Sequence, residues 1–179
     1  MPNDFALDIA AIRKRARAHL DAGPVTPTNT ADLERLLAVL NEVLATEIVC
    51  WMRYQRHAIS VAGINRVQVA AEFTEHAADE MAHALSIAER ISQLNGEPDF
   101  SPKGLSDRSH SEYKVYDDGD WVGMLKENLV AERVVIQSYQ EIIRWLAESD
   151  PTTRRLMEGI LADEEDHADD LNDLLGDLA

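Results

Sequence analysis

Four long stretches of this sequence place apolar residues at helical spacing, and no other feature constrains the fold as strongly. They predict helices over about 33–62, 66–95, 120–148 and 152–175, and no segment shows the alternation typical of a half-buried strand. Because the long connection over residues 96–119 can run the length of a bundle, the second and third helices are expected to be parallel. The sequence therefore predicts an all-α, up-down four-helix bundle with a long crossover between helices 2 and 3.

A shorter helical pattern precedes this bundle. Residues 4–21, beginning with the apolar Phe5, predict a short N-terminal helix. Residues 22–29 contain two prolines and a glycine, a composition typical of a linker. The chain is therefore divided into an N-terminal helical extension with its linker, residues 1–29, and a four-helix bundle domain, residues 30–179.

Local signals mark where two of the long helices begin and end. Thr30 is the predicted N-cap of the first one, because a hydroxyl can accept a hydrogen bond from a first-turn amide. Gly96 is the predicted C′ residue of the second one, because glycine adopts the left-handed conformation at little cost. The polar crossover of residues 96–119 is expected to be an irregular loop that contacts other subunits.

Charge and cysteine usage exclude several classes of protein. The chain has 17 basic and 33 acidic residues, a net charge of −16, which argues against nucleic-acid binding by the whole surface. The only cysteine, Cys50, excludes an internal disulfide framework, a four-cysteine metal site and a CxxC redox motif. No apolar stretch is long enough to span a membrane, and the N-terminus does not resemble a secretory signal. We therefore expect a soluble, cytoplasmic protein.

An internal repeat links the helices in pairs. The second and fourth helices share the motif Ala-Asp-Glu-x-x-His-Ala, at residues 78–84 and 162–168. The first and third share a glutamate that is followed by tyrosine seven residues later and glutamine eight residues later. The glutamates and tyrosines of this second pattern are Glu47 with Tyr54 and Glu132 with Tyr139.

The repeat brings together a set of metal-binding side chains. Glutamate and histidine three residues apart lie on one helix face, and each of the other two helices adds one glutamate. The candidate ligands are Glu47, Glu80, His83, Glu132, Glu164 and His167. A single such motif usually lies on a solvated helix face, but four matched motifs at equal spacing favour a shared site. Four carboxylates balance two divalent cations, and mixed carboxylate and imidazole ligands suit iron or manganese better than tetrahedral zinc.

The chain resembles bacterioferritin and the related Dps-like ferritins over about residues 33–175. The matching motifs are ATEIVCWMRYQRH, DEMAHA, VAER and ADEEDHA in the four successive helices. The resemblance implies a ferritin-like bundle with a di-iron site, in which each iron has one terminal pair of ligands and both share a bridging pair. These pairs would be Glu47 with His83, Glu132 with His167, and Glu80 with Glu164. Tyr54 matches a tyrosine that donates a hydrogen bond or an electron near such a site.

The function implied by the resemblance is ferroxidation and iron storage. Fe²⁺ would be oxidised by O₂ or H₂O₂ within one subunit, and ferric mineral would be stored in a hollow homo-oligomeric shell. Iron is the expected metal, with manganese or zinc as possible substitutes. The chain ends soon after the fourth helix and has about 30 residues before the first, a pattern closer to shells of 12 subunits than of 24.

Three alternatives accompany this reading. The first is a dimetal enzyme without storage, such as a rubrerythrin-like peroxidase or an oxygenase. The second is a Dps-type DNA-protecting protein, for which the basic residues Arg13, Lys14, Arg15 and Arg17 would be needed, although the acidic remainder of the chain opposes it. The third concerns haem b, because Met81 stands where the haem-ligating methionine of bacterioferritin does. A packing role is the competing interpretation of Met81.

Acidic residues near the repeat are candidates for orienting its histidines or for binding iron elsewhere on the subunit. Asp79 and Asp163 precede the two bridging glutamates and are candidates for orienting the histidine rings, with surface solvation as the alternative. The resemblance also implies an iron site on the inner surface at Glu75 and Asp79, with Glu75 in place of the expected histidine. His76 is interpreted as a surface or core residue rather than a ligand.

Overall fold

The computed structural model describes residues 6–18 and 20–177. The helices of this part of the chain are α1 (Ile9–Arg15), α2 (Leu33–Ser60), α3 (Arg66–Gln93), α4 (Leu105–Arg108), α5 (Trp121–Leu146) and α6 (Pro151–Asp177), with a 3-10 turn at Leu20–Ala22. The described residues contain no strand, so the all-α class is confirmed. None of the described helices is both long and apolar enough to cross a membrane.

The four long helices pair in the order expected from the connections. Helix α2 packs along α3, and α5 packs along α6. Two clusters of buried apolar side chains fill the bundle, one around Leu40 and Ile87 and the other around Phe73 and Leu171. Full burial of one such side chain stabilises the fold by about 1.5–3 kcal/mol.

The crossover runs along α2 from one end of the bundle to the other. Near its beginning, the Asp99 N–H donates to the Asn41 side chain at 2.8 Å. Near its end, the Ala62 N–H at the end of α2 donates to the Asp118 carbonyl at 2.8 Å. Because α3 and α5 both begin beside the C-terminal end of α2, the two helices are parallel, as predicted.

Both predicted helix-end signals are wrong by one or two residues. Asp32, not Thr30, caps α2, and its carboxylate accepts a hydrogen bond from the Arg35 N–H at 3.2 Å. After α3 the left-handed residue is Asn95, with φ of 64°, rather than Gly96. A Cβ at position 96 would lie 2.4 Å from a methyl group of Leu37, so a larger residue there would make the Leu37 side chain move.

The N-terminal extension forms less helix than predicted. Among the described residues of the predicted 4–21, Ile9–Arg15 form an α-helix and the 3-10 turn Leu20–Ala22 begins near the end of the range, whereas Phe5 lies outside the described residues. Helix α1 buries no side chain, so it depends on the Asp8 carboxylate, which accepts from the Ala11 N–H at 2.9 Å. A helix this short gains too little from propensity alone to extend further.

The crossover has more structure than predicted. It contains α4, a single helical turn that the sequence analysis took for irregular loop. Leu105 begins this turn and packs against Ala45 and Val49 of α2. One apolar residue gives no periodicity, so the sequence alone could not predict this turn. The turn depends on the contact of Leu105 with α2.

Candidate metal centre

The six predicted ligands meet in the middle of the bundle, and all are buried. They form two overlapping groups in which the donor atoms lie within 4.8 Å of one another. The first group is Glu47, Glu80, His83 and Glu164, and the second is Glu80, Glu132, Glu164 and His167. The members common to both groups are the glutamates of α3 and α6. This arrangement provides two adjacent cation positions with a pair of carboxylates between them.

Local helix geometry explains how the donors converge. On α3 and α6 the glutamate and histidine of each Asp-Glu-x-x-His motif occupy the same helix face on successive turns. On α2 and α5 a single glutamate replaces an apolar residue on the buried face. Four carboxyl groups removed from water are costly unless something balances their charge.

The unpaired atoms of these side chains point to what balances that charge. Among the described residues, the buried atoms without a hydrogen-bond partner include Glu47 Oε2, Glu80 Oε1, Glu132 Oε2, both Glu164 oxygens, and the Nδ1 atoms of His83 and His167. Buried polar atoms normally find partners. His83 Nδ1 lies 3.4 Å from Glu47 Oε2 and 3.2 Å from Glu164 Oε1, so the unpaired atoms face a common point. Carboxylate and imidazole donors in this arrangement fit a pair of divalent cations.

Two buried tyrosines complete the hydrogen bonding of the terminal glutamates. The Tyr54 hydroxyl donates to Glu132 Oε1, and the Tyr139 hydroxyl donates to Glu47 Oε1. Each tyrosine therefore holds the glutamate of the other helix and leaves the Oε2 atom of that glutamate free. Tyr54 was assigned to the site from the sequence, whereas Tyr139 was identified only as a member of the repeat and was given no role there.

Two aspartates hold the histidine rings from outside. Because a carboxylate can only accept, the His83 Nε2–H donates to Asp163 at 3.0 Å, and the His167 Nε2–H donates to Asp79 at 3.4 Å. These bonds cross between α3 and α6. They turn each Nδ1 atom inward, which is the orientation that a metal-binding imidazole needs.

Burial and mutual repulsion distribute protons unevenly over the site. Burial and the Glu164 charge raise the pKa of Glu80 and that of Glu132 well above the usual range. Burial alone would raise the pKa of Glu164, but contacts with the two histidines lower it to about 2. For His83 burial acts in the opposite sense, yet the facing Glu164 and Glu47 carboxylates raise its pKa to about 11. The metal-free site thus balances its charge with protons.

Other residues singled out in the sequence are not members of these donor groups. Met81 is half-buried on α3, and its assignment to haem stays a prediction. Burial raises the pKa of Cys50 to about 12, so its side chain is a neutral thiol in the metal-free protein. The basic side chains at the end of α1 are exposed.

The sequence analysis missed a third group of donors beside the first two. Glu72 and His76 of α3 and Asp170 of α6 place one donor atom each within 4.8 Å of the others. His76 and Asp170 line an acidic cleft of about 260 Å³, whose lining also includes Glu75 and Asp79, the residues predicted for an inner-surface iron site. The four-residue spacing of Glu72 and His76 indicates that both lie on one face of α3. Asp170 joins them only through the packing of α6 on α3.

Comparisons with known proteins agree with this architecture. A sequence model described as the ferritin-like domain matches residues 37–179. A bacterioferritin of Desulfovibrio desulfuricans is 29% identical over 135 residues, or 74% of this chain and 70% of that protein. A nutrient stress-induced DNA-binding protein of Synechococcus is 27% identical over 132 residues, or 72% of this chain and 74% of that protein.

Solved structures of bacterioferritin-related and Dps proteins are similar to this chain. A dodecameric thioferritin, the bacterioferritin-related protein of Bacteroides fragilis, is 37% identical, with a TM-score of 0.80 over 83% of this chain and 89% of that one. The DPS protein of Vibrio cholerae, at 21% identity, has a TM-score of 0.75 over 80% of this chain and 90% of that one. The second likeness concerns the fold alone.

Proposed function

This chain belongs to the ferritin-like family, and we propose that it is a ferroxidase that oxidises Fe²⁺ with O₂ or H₂O₂ and stores the ferric product. The single observation that carries the proposal is the pair of overlapping donor groups that share Glu80 and Glu164. Donors that point at one place and have no hydrogen-bond partner within the described chain are expected of a site built for cations.

The proposed ligand roles follow the two groups. Glu47 and His83 would hold one iron ion, and Glu132 and His167 the other. Glu80 and Glu164 would lie between the two ions. Bound iron supplies the redox chemistry, and manganese or zinc could occupy the same donors.

The protein's own contribution is to fix the donors in advance. Tyr54 and Tyr139 each occupy one oxygen of a terminal glutamate, which leaves the second oxygen for a metal ion. Asp79 and Asp163 accept from the Nε2–H groups of both imidazoles, so Nδ1 is the nitrogen that faces inward and can bind metal once its proton has left. Little rearrangement is then needed when cations enter.

Protons leave as cations enter. Glu80, Glu132 and His83 all hold protons more tightly than usual in the metal-free protein. Two divalent cations replace these protons, so metal binding is coupled to proton release. The exchange keeps the buried charge nearly constant, which lowers the cost of filling and emptying the site.

Storage requires a closed assembly, and we propose a homo-oligomeric shell of 12 chains rather than 24, located in the cytoplasm. Support comes from the resemblance to the dodecameric thioferritin and from the net charge of −16, which suits a surface that attracts Fe²⁺. DNA binding is not part of the proposal, although one relative carries a DNA-binding name.

The test combines light scattering with iron uptake. Metal-free protein is given Fe²⁺ in air, and mass, ferric absorbance and retained iron are measured for the wild type, E80A/H83A and the control E89A. Glu89 is an exposed residue of α3, so its loss leaves the donors intact. We expect a 12-subunit shell that retains many iron ions per chain, with rapid oxidation lost only in E80A/H83A.

Other outcomes would redirect the assignment. A dimer or tetramer that holds about two metal ions and no mineral would contradict storage and favour a rubrerythrin-like or oxygenase activity. A salt-dependent gel shift with linear DNA would favour the Dps-type role.

A further inference from the structure

The group formed by Glu72, His76 and Asp170 has donors that the metal centre does not use. His76 Nε2 lies 3.2 Å from Glu72 Oε1 and 3.7 Å from Asp170 Oδ2. The imidazole is only 2% exposed, whereas the Asp170 side chain is 59% exposed at the cleft. The group therefore connects a buried nitrogen donor with solvent.

The His76 nitrogen that faces the carboxylates is unpaired. Despite the short distances, Nε2 has no partner with hydrogen-bond geometry among the side chains that the structure describes. The other ring nitrogen, Nδ1, lies 3.3 Å from the Tyr54 hydroxyl oxygen. Because that hydroxyl already donates to Glu132, its oxygen is free to accept from an Nδ1–H.

This tautomer leaves a lone pair on Nε2 beside two carboxylates, 3.2 and 3.7 Å away. Such an arrangement is repulsive unless a positive charge lies between the three groups. A proton on Nε2 could supply that charge, but Nε2 has no hydrogen-bond geometry toward either carboxylate. A metal cation satisfies both the lone pair and the carboxylates.

The surroundings add to the negative potential at this point. The cleft is lined by four further carboxylates, those of Glu75, Asp79, Asp163 and Asp166. Burial, and then the charges of Asp170 and Glu75, raise the pKa of Glu72. Carboxylates that repel one another in this way gain from a cation among them.

We propose that Glu72, His76 and Asp170 form a third binding site for a divalent first-row metal ion, distinct from the two positions of the buried centre. Two carboxylates and one imidazole suit Fe²⁺, Mn²⁺, Co²⁺ or Zn²⁺, and the open cleft leaves room for water ligands. Tyr54 then plays the same part for His76 that the aspartates play for the inner histidines, because it accepts from the nitrogen that does not bind metal. The proposal rests on these contacts and is independent of ferroxidase activity.

The experiment counts Co²⁺ ions bound to the full-length, metal-free protein by anaerobic equilibrium dialysis at moderate salt. We expect three ions per wild-type chain, two for H76A and for E72Q, and three for D166N. Asp166 is an exposed acid of the same cleft outside the group, so this control separates specific binding from general attraction to acidic residues. Circular dichroism confirms that each variant is folded.

A second arm separates this site from the proposed centre. E80A/H83A should lose the inner ions and retain one that is lost when H76A is added. Two ions per wild-type chain, or three in H76A and E72Q, would overturn the third site even if ferroxidation is intact. Conversely, an inactive protein that still loses one ion in H76A would contradict the proposed function and keep the third site.

Discussion

The two halves of the metal centre are built alike but surrounded differently. In one half Glu47 and His83 are held by Tyr139 and Asp163, and in the other Glu132 and His167 are held by Tyr54 and Asp79. The internal repeat thus duplicates not only the donors but also the hydrogen bonds that orient them. Each half thus has a glutamate and a histidine as candidate ligands, with a tyrosine and an aspartate that hold them in place.

The positions around the halves do not match. In the half that contains Tyr54, the nearby positions include polar His76, Glu72, Asp170, His57 and Asn128. In the other half, the residues at the corresponding repeat positions are Ile160, Leu156, Ser86, Ile142 and Val43. One half is therefore backed by an acidic cleft, and the other by the apolar cluster around Leu40. The inner donors are therefore complete in both halves, whereas the third donor group is present beside only one of them.

The largest expected effect comes from a residue that both halves share. E164A should lower the initial rate of Fe²⁺ oxidation by more than about 100-fold, because each proposed cation position loses a carboxylate. Ferric absorbance after rapid mixing measures the rate. E165Q changes the exposed neighbouring acid and should behave as wild type; an equal loss in both variants would contradict a shared ligand.

The next effect tests whether the tyrosines are equivalent. Y54F and Y139F should each weaken metal binding at the centre by roughly 10–100-fold, since each frees a terminal glutamate to turn away. Only Y54F should also weaken the third site, because Tyr54 alone of the two contacts His76. Co²⁺ titration measures both, and identical effects of the two variants on all three ions would break the distinction between the halves.

A smaller effect distinguishes the two aspartates. D163N should weaken binding at the centre by about tenfold and D79N by less, because the Asp163 contact with His83 is 3.0 Å and the Asp79 contact with His167 is 3.4 Å. Both aspartate side chains are about half exposed, so folding should be unaffected. A larger loss of metal binding in D79N than in D163N would contradict the prediction that the shorter contact matters more.

The smallest effect concerns the pH dependence of the metal-free protein. His83 has a raised pKa of about 11 when folded, against 6.5 for an ordinary histidine, and Glu80 also has a raised pKa. Because the folded state binds more protons than the unfolded one, stability falls as pH rises from 6.5 toward 11. We expect the Tm to fall by about 4 °C per pH unit from about pH 6.5 to about pH 9.

Scanning calorimetry with and without metal provides the control for that prediction. Bound cations replace the protons, so the metal-loaded protein should not lose stability over the same range. H83A should flatten the slope of the metal-free protein. A Tm that rises with pH in the absence of metal would contradict the proton-balanced site.

Much of the fold and of the inner donor set follows from the sequence, because both depend on local spacing. Periodicity locates the long helices, and the three-residue spacing of Glu80 and His83 already places both on one face. The structure brings the six predicted side chains together, and their roles as ligands stay predictions. The misplaced N-cap, at Thr30 rather than Asp32, reflects two candidate caps so close together that only backbone geometry decides between them.

The features that the sequence analysis missed depend on contacts between helices. Tyr139 was visible in the repeat, but its hydrogen bond is to Glu47, on another helix. Asp170 joins His76 only because α6 packs beside α3 at that register. Helix α4 depends on the surface of α2 beneath Leu105. Such pairings are set by the packing of the whole bundle and not by any one segment.

The crossover that lies along α2 has a consequence for the order in which the chain folds. Arg53 is completely buried, and its guanidinium donates to Asn128 at 2.8 Å and to Ser111 at 2.9 Å, partners 75 and 58 residues away. An unsatisfied cation there would cost several kcal/mol, so the segment next to Tyr54 cannot close until both distant segments have docked. Contacts of such long range form late and slow the search for the native state. We therefore expect the donor groups to come together only after the crossover and α5 have docked against α2.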